Sequence, residues 1–345
     1  MNTIETVLSI AQFAEKKKDA SLQEHWTLVN FKKGEVYAQT GVVGACAKID
    51  SDLICSVSAQ RLEKAIKAVG KESTIERTGD LLLLRSENTE REAKVPIVSA
   101  ASPPLMHGPT KKARWHETAT LAHAEALFWT CSMDTSRTYM SGVNLGAPGM
   151  MATNGQSAVL YRGENFVEVF KENRSVSVPI PFLKGLGENV LVALEKGRIF
   201  CKEQGSDTYR SGALIGGEFP PLMRVIDDAL TGERAVVNRT ALISMLKRGR
   251  LSGPTVMLEI GTESLSLVVE HSEANNQLFD FGDRIPFVES EAQPFTVGFD
   301  AGKLIDVLSH ASADEVTLKL GGPFGPLAVE DENYVVVVMP VRMPS

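Results

Sequence analysis

An internal repeat of 121 residues constrains the fold of this chain more than any other sequence feature. Three segments, at residues 54–69, 176–190 and 294–309, each run from a short alternating strand into a helix-like stretch. Their anchoring leucines, Leu62, Leu183 and Leu304, are 121 residues apart in both intervals. Equal spacing of one strand-and-helix pattern is typical of tandem copies of a structural unit. The sequence therefore predicts three similar domains.

A second helix is predicted earlier in each repeat, at residues 3–18, 120–131 and 239–250. Ser58, Asn238 and Asp300 are candidate helix N-caps, and Pro181 suits a first helical turn. The stretches 255–260 and 265–269, rich in β-branched residues and leucine around a Gly-Thr-Glu-Ser turn, predict a β-hairpin. Each repeat is thus predicted to hold two helices and about eight strands. We expect an α+β fold of three domains, at residues 1–110, 111–230 and 231–345.

The composition predicts a soluble, cytoplasmic protein. Hydrophobic residues make up 43% of the chain and charged residues 23%. No apolar run approaches the roughly 18 residues that cross a bilayer, and the N-terminus has no signal-type pattern. Cys46, Cys55, Cys131 and Cys201 lie far apart with no pair at metal-ligand spacing, so we interpret them as reduced core thiols.

No motif in the sequence predicts a cofactor, a metal site or catalysis. The six histidines form neither a His-x-x-x-His pair with a glutamate nor a Cys/His cluster. The glycines at 185–187 and 321–325 lack the remaining residues of a nucleotide-binding loop and are interpreted as turns. A hydrolase that uses Asp134, His116 or His123 stays open as an alternative, but no motif supports such a site. We expect a protein that is not an enzyme.

Four short motifs point to a known family. They are Arg137-Thr-Tyr-Met-Ser-Gly142, Met151-Ala-Thr-Asn-Gly155, Glu218-Phe-Pro220 with Arg224-Val225, and the terminal run from Tyr334 to Met343. Together with the three α+β repeats, these motifs resemble the bacterial DNA sliding clamp, the DNA polymerase III β-subunit family, as a divergent member. The resemblance implies a processivity factor that encircles duplex DNA and tethers polymerase. In that family the subunits form a head-to-tail homodimer, a ring with helices lining its hole.

The charge pattern can be compared with this resemblance. The six predicted helices, at 3–18, 59–70, 120–131, 181–189, 239–250 and 301–310, carry twelve basic and six acidic residues. They therefore contribute +6, which leaves −13 for the rest of a chain of net charge −7. A basic lining would contact phosphates without reading sequence, although solvated helix faces also often carry lysine. The predicted DNA-facing residues are Lys16, Lys17, Lys18, Arg61, Lys64, Lys67, Lys184, Arg239, Lys247, Arg248, Arg250 and Lys303.

The resemblance also implies a peptide-binding groove between the second and third domains. Polymerase, clamp loader and repair proteins would dock short peptides there. The matching positions are Tyr139, Met140, Thr153, Gly155, Gln156, Ser157, Ala158, Pro220, Arg224, Val225, Val337, Val338, Met339, Pro340, Val341, Arg342 and Met343. Methionine and valine suit a groove that accepts several partners.

This sequence departs from the family after Gly155, where a His-Arg-Leu run is common. Gln156, Ser157 and Ala158 stand there instead, which removes a cation and apolar volume. The resemblance places the subunit contact between residues 92–95 and the third domain near Arg250 and Leu251. A non-ring protein-binding module of the same fold remains the alternative hypothesis.

Overall fold

A computed structural model of the chain describes residues 3–16, 24–99, 108–147, 149–163, 175–272 and 276–341. The described residues divide into two compact units. The first contains residues from 3–122 and 178–215, and the second contains residues from 123–163, 175–177 and 216–341. The division into three domains remains a prediction.

Antiparallel strands are the most abundant regular element of the described chain. Their bounds are β1 Leu28–Lys32, β2 Glu35–Gln39, β3 Val43–Lys48, β4 Ile54–Ser58, β5 Ser73–Thr78, β6 Leu81–Ser86, β7 Glu92–Ser99, β8 His116–Thr118, β9 Gly142–Gly146, β10 Gly149–Thr153, β11 Ser157–Tyr161, β12 Val176–Pro179, β13 Val190–Glu195, β14 Arg198–Glu203, β15 Tyr209–Ala213, β16 Glu233–Asn238, β17 Thr255–Ile260, β18 Ser264–Val269, β19 Phe281–Pro286, β20 Glu289–Ser290, β21 Phe295–Asp300, β22 Glu315–Leu320, β23 Leu327–Glu330 and β24 Tyr334–Val338.

The helices are fewer and shorter. The α-helices are α1 Thr3–Ala11, α2 Ala59–Val69, α3 Ile180–Leu183, α4 Leu222–Leu230, α5 Arg239–Gly249 and α6 Ala301–His310. Segments of 3₁₀ helix span Glu24–Thr27, Thr120–Thr130 and Thr135–Met140. The mixed α and β content with antiparallel sheets confirms the predicted fold class.

The first unit is built on one sheet of eleven strands, in the order β5-β6-β7-β4-β1-β2-β3-β15-β14-β13-β8. This sheet is continuous across a long sequence separation, because β3 pairs with β15, with Ala45 opposite Arg210. The side chains of Phe31, Leu62 and Leu84 are fully buried in the core of this unit.

The second unit contains two sheets. The larger has nine strands in the order β12-β9-β10-β11-β24-β23-β22-β16-β20, and the smaller has the order β19-β18-β17-β21. A second pairing of distant strands lies in the larger sheet, where β11 pairs with β24 and Val159 lies opposite Val336. The helices α5 and α6 contact each other in this unit.

The predicted helix caps are confirmed. The side chains of Ser58, Asn238 and Asp300 accept hydrogen bonds from backbone N–H groups at the start of α2, α5 and α6. Each cap satisfies one of the N–H groups that a helix N-terminus leaves without an intrahelical partner. Pro181 lies in the first turn of α3, as expected.

Two helix predictions were too long, and each shorter helix has a physical cause. The helix predicted at 181–189 ends at Leu183, and the guanidinium of Arg210 donates to the carbonyls of Lys184 (2.6 Å) and Gly185 (3.2 Å). The helix predicted at 3–18 ends at Ala11, after which the N–H of Glu15 donates to Trp26 O at 2.7 Å. In both cases backbone groups just beyond the helix form hydrogen bonds with a residue distant in sequence instead of continuing the helix.

Helix α4 was missed altogether. The sequence analysis used this stretch only for the motif Glu218-Phe-Pro220 with Arg224-Val225 and predicted no helix there. In the structure Pro221 is instead the N-cap residue of a helix that buries Leu222, Ile226 and Ala229. The apolar spacing of these three residues is helical, and this signal could have identified the helix.

Candidate functional sites

The segment that follows β24 lies against two other parts of the second unit. The N–H of Met339 donates to Gln156 O at 2.9 Å, and the N–H of Val341 donates to Gly298 O at 2.9 Å. Met339 is 41% exposed, while Pro340 and Val341 are half-buried. The backbone of this segment is thus fixed by hydrogen bonds while its apolar side chains remain accessible.

The turn between β10 and β11 forms a rigid neighbour to this segment. The hydroxyl of Thr153 donates to Ser157 O at 2.7 Å. The side-chain oxygen of Asn154 accepts from the N–H groups of Gln156 (3.0 Å) and Ser157 (2.8 Å). Gly155 has φ +87°, a conformation that favours glycine. The turn therefore holds Gln156 exposed at its tip, at the position where the sequence departs from the family.

Helix α4 covers the adjoining strands. Leu222 and Ile226 share a buried cluster with Ala158 of β11 and Val337 of β24. Burying a side chain the size of leucine, isoleucine or valine stabilises the packing by about 1.5–3 kcal/mol. Val225, which is 36% exposed, lies at the edge of this buried face of the helix, one turn from Leu222 and Ala229.

An apolar cavity opens beside Met339, Pro340 and Val341. Its other lining residues are Met257, Thr296, Val297, Gly298, Pro323 and Phe324. The sequence analysis predicted none of these six, because β17, β21 and the loop after β22 meet the C-terminal segment only through tertiary structure. Residues from β17, from β21 and from the loop after β22 therefore line this cavity together with the predicted groove residues Met339, Pro340 and Val341.

Phe324 is the most exposed aromatic side chain of this cavity, at 91%. It lies in a tight loop that closes with a hydrogen bond from Gly321 N to Pro326 O at 3.0 Å. A Cβ added to Gly325 would lie 2.0 Å from Gly321 O, so glycine is required for this close approach. The loop is thus held in one shape, with its aromatic side chain outside the core.

The remaining predicted groove residues differ in their exposure. Tyr139 is half-buried and approaches Gly217, at which a Cβ would lie 3.0 Å from the Tyr139 Cβ. Pro220 is half-buried and Arg224 is exposed. The buried members are Met140, Thr153, Ser157, Ala158, Val337 and Val338. Arg342 and Met343 lie outside the described residues.

Replacing Gly149 in β10 with alanine is expected to destabilise the second unit by about 3 kcal/mol, because a Cβ there would lie 2.0 Å from Tyr161 O. The clash is with backbone, so relief requires the β10–β11 pair to separate. Urea denaturation measures the change in the free energy of unfolding. Gly187→Ala is the matched control, because a Cβ at Gly187 meets no atom within 4 Å. Equal stability of the two variants would contradict the close approach of β10 to β11.

Most of the predicted DNA-facing residues are exposed. Arg61, Lys64 and Lys67 lie exposed on α2, and Lys16 pairs with Glu63 of the same helix at 3.2 Å. The other exposed members are Lys184, Lys247, Arg248 and Arg250, and Lys303 is half-buried. Lys17 and Lys18 lie outside the described residues.

Two of the basic residues also have partners within the second unit. The guanidinium of Arg239 donates to Ala313 O at 2.7 Å. The Nε of Arg248 donates to the carboxylate of Asp283 at 2.9 Å, which lowers the pKa of that carboxyl group. The guanidinium groups of Arg239 and Arg248 are therefore partly engaged in contacts within the second unit.

Two of the residues proposed for the alternative hydrolase, Asp134 and His123, have structural partners. The carboxylate of Asp134 accepts from both the N–H (2.9 Å) and the hydroxyl (2.7 Å) of Ser136, which lowers its pKa. The ring of His123 stacks on Tyr161 with centroids 4.9 Å apart. Within the described ranges, no cluster of three or more His, Cys, Asp or Glu side chains could hold a metal ion.

The cysteines behave as the sequence predicted. All four thiols are free and buried. Burial raises the pKa of Cys131 to about 12 and, with the nearby charge of Glu35, that of Cys46 to about 11. Such thiols carry almost no thiolate at neutral pH and are unreactive. No helix among the described residues is long and apolar enough to cross a membrane.

Comparison with known structures identifies the fold. The DNA polymerase III β subunit from Thermotoga maritima matches 99% of this chain and 98% of its own, with a TM-score of 0.82 and 18% identity. The sliding clamp from Bartonella birtlesii bound to griselimycin gives the same coverage, with a TM-score of 0.80 and 19% identity. A DNA polymerase sliding clamp from Pseudomonas aeruginosa with ligand gives 0.79 and 17%, again at 99% and 98%.

No protein-family model and no curated protein matches the chain by sequence. The structural matches nevertheless extend over nearly the whole chain, and the low identities agree with a divergent sequence. The chain has the fold of the bacterial DNA sliding clamps. The resemblance predicted from its four motifs is confirmed at the level of the fold.

Proposed function

We propose that this protein is a DNA sliding clamp, a processivity factor that encircles duplex DNA and tethers polymerase and repair proteins without catalysing a reaction. The observation that carries the proposal is the match of 99% of the chain to solved sliding clamps. A match confined to one repeat would support only a shared domain. Coverage of the whole chain supports the whole assembly.

The order of elements supports three domains. Each proposed domain contains a first helix, four or five strands, a second helix and three strands, in that order. The strands are counted here from the first helix, which is α1, the 3₁₀ helix Thr120–Thr130 or α5. The third strand of one domain pairs with the last strand of the next, first as β3 with β15 and then as β11 with β24. This rule leaves two strands without such a partner in the described chain: β19, the third strand of domain 3, and β7, the last strand of domain 1.

A second copy of the chain would supply a pairing strand for both β19 and β7. An unpaired strand edge presents N–H and C=O groups that can pair with another chain. If β19 of one copy pairs with β7 of another, and the reverse, the two copies close a head-to-tail ring in which both of these strands gain a partner. Exposed apolar side chains beside β19 support this contact: Leu251 and Leu278 are each 71% exposed, and Phe279 is 44% exposed.

The basic residues of the helices that line the hole of the proposed ring would face the DNA. Exposed cations such as Arg61, Lys64, Lys67 and Lys247 can contact phosphates of any sequence. One set of phosphate contacts exchanges for an equivalent set as the protein moves, so sliding costs little. Retention would then depend on the closed ring rather than on these contacts.

The groove around Met339 would dock partner peptides. Its exposed apolar side chains, Met339, Val225 and Phe324, lie on backbone that hydrogen bonds and packing hold in place. A preformed apolar groove binds a short peptide without first paying the entropy of ordering its own walls. The run from Gln156 to Ala158 lacks the cation and the apolar volume common at these positions in the family, so we expect its preferred peptide to differ from that of other clamps.

Retention on DNA tests this proposal. After loader-assisted assembly in high salt, the protein should remain on a nicked circle and be lost from the same DNA once it is linearised. Phosphate contacts weaken steeply with salt whether or not the DNA has ends. Equal loss from circle and linear DNA would contradict the clamp and favour a non-ring protein-binding module of the same fold.

A further inference from the structure

The second unit contains an apolar cavity on one face of the β11–β24 pair. Val159 and Val336, which lie opposite each other in this pair, both line the cavity. Their neighbours Ala158 and Val337 instead belong to the buried cluster under α4. Because successive side chains of a strand point to opposite faces, the cavity and α4 lie on opposite faces of these two strands. The cavity is therefore separate from the surface that α4 covers.

The size and walls of this cavity suit a single small ring. Its volume is about 110 Å³, and six of its ten described lining residues are alanine or valine. Trp129 and Tyr334 add aromatic rings, and the exposed ring of His310 stacks on Trp129 with centroids 5.0 Å apart. An engineered apolar cavity of roughly 150 Å³ binds benzene. The cavity beside Trp129 is thus close to the size of one six-membered ring.

The indole N–H of Trp129 is buried and has no hydrogen-bond acceptor within the described ranges. Buried polar groups in folded proteins are nearly always paired, because an unpaired donor loses its hydrogen bonds to water and gains none in return. A bound water needs two to four polar partners, whereas the walls beside this N–H are mostly aliphatic. An apolar molecule that carries one acceptor atom matches such a site better than water does.

The carboxylate of Asp331 limits the charge of a ligand. Asp331 also lines the cavity, and it accepts hydrogen bonds from the N–H (2.9 Å) and the hydroxyl (2.9 Å) of Ser312 and from the N–H of Glu332 (2.8 Å). Three donors already compensate this carboxylate, so it does not require a cationic ligand. Its negative charge disfavours an anion in a cavity of low polarity. A neutral ligand is therefore the one that these groups favour.

The first unit has a cavity at the corresponding place, but its chemistry differs. Ala45 and Arg210 line it and lie opposite each other in the β3–β15 pair, as Val159 and Val336 do in the β11–β24 pair. The guanidinium of Arg210 lies over the ring of Phe13, 5.2 Å from its centroid. A cation thus forms part of the first cavity, whereas valine stands at the matching position of the second. The apolar walls belong to the second cavity and not to the fold in general.

We propose that the cavity beside Trp129 binds a small neutral heteroaromatic molecule, one six-membered ring in size, whose acceptor atom takes a hydrogen bond from the Trp129 indole N–H. The inference goes beyond the proposed function and does not depend on it, since it rests on residues of the second unit alone. Such a ligand would contact residues on both sides of the β11–β24 pairing, because Trp129 and Tyr334 come from different predicted domains.

Pyridine is the probe for this site, because its ring nitrogen accepts a hydrogen bond and the molecule is uncharged in mildly alkaline buffer. The chain has three tryptophans, Trp26, Trp115 and Trp129, so an NMR spectrum of nitrogen-labelled protein should contain three indole N–H signals. The signal that is missing from Trp129→Phe belongs to Trp129. We expect pyridine to move this signal to lower field in a saturable way, since a hydrogen bond deshields the proton, and to leave the other two in place.

A comparison with benzene isolates the hydrogen bond. Benzene has the same size as pyridine but no acceptor, and Trp129→Phe keeps an aromatic ring but has no donor. The affinity for pyridine relative to benzene should fall about fivefold in Trp129→Phe, which is the typical effect of one neutral hydrogen bond. Ring-current shifts of valine methyl signals measure both affinities without relying on the N–H. An unchanged ratio would overturn the role assigned to this N–H.

Filling the cavity tests its location. Ala126→Leu adds volume at a lining residue and should abolish the shift of the Trp129 signal, whereas Ala122→Leu, on the same 3₁₀ helix but outside the cavity, should retain it. The signals of Trp26 and Trp115 show whether each variant is folded. If pyridine left the Trp129 signal of the original protein in place, as a cavity that holds only water would, the proposal would be wrong. Undiminished binding to a folded Ala126→Leu variant would likewise place the ligand elsewhere.

Discussion

Replacing Leu251 and Leu278 with aspartate is expected to convert the protein to a monomer that is no longer retained on circular DNA. Both side chains are 71% exposed, and the N–H of Leu278 donates to Ser252 O at 2.7 Å, which places the two leucines close together. At the proposed contact each aspartate would be buried without a partner, which costs several kcal/mol. Because a head-to-tail dimer contains this contact twice, the dissociation constant should rise at least about 1,000-fold.

Two measurements check this result. Sedimentation gives the oligomeric state, and the nicked-circle assay gives retention. Met133→Asp is the matched control, because Met133 is 91% exposed in the second unit but lies outside the proposed contact. If the double variant remained a dimer while both leucines were charged, the subunit contact would have to lie elsewhere on the molecule.

The second large effect is expected in the groove. Met339→Ala should reduce the affinity for partner peptides about 30-fold, which corresponds to the roughly 2 kcal/mol of a central contact residue. Met339 is 41% exposed, and its N–H is held by Gln156 O at 2.9 Å, so truncation removes contact area without releasing the backbone. The length of DNA synthesised by polymerase on a primed circle should fall, whereas retention of the protein on that circle should not.

Val288→Ala is the control for this variant. Val288 is another exposed apolar side chain of the second unit, at 51%, but it lies outside the proposed groove. Its loss should leave synthesis unchanged. If the length of DNA synthesised with the Met339→Ala variant were undiminished, partners would have to bind at another surface. If this variant were lost from circular DNA, the substitution would act on ring closure instead.

The sequence by itself determined the elements that local chemistry controls. The spacing of Leu62, Leu183 and Leu304 located three helices, and the side chains at positions 58, 238 and 300 cap helices because their oxygens accept nearby N–H groups. The hairpin of β17 and β18 followed from its alternating strands and turn. The four motifs gave the resemblance to sliding clamps, which the fold confirms.

Only the tertiary structure decided the features that depend on distant residues. The end of α3 is fixed by Arg210, and the cavity beside Met339 exists because Phe324 and β21 approach the C-terminal segment. The pairing of β3 with β15 and of β11 with β24 likewise joins strands from different repeats. Sequence periodicity records which face of a strand is buried, but it does not record which strand lies beside it, because backbone hydrogen bonds pair strands regardless of their sequence separation.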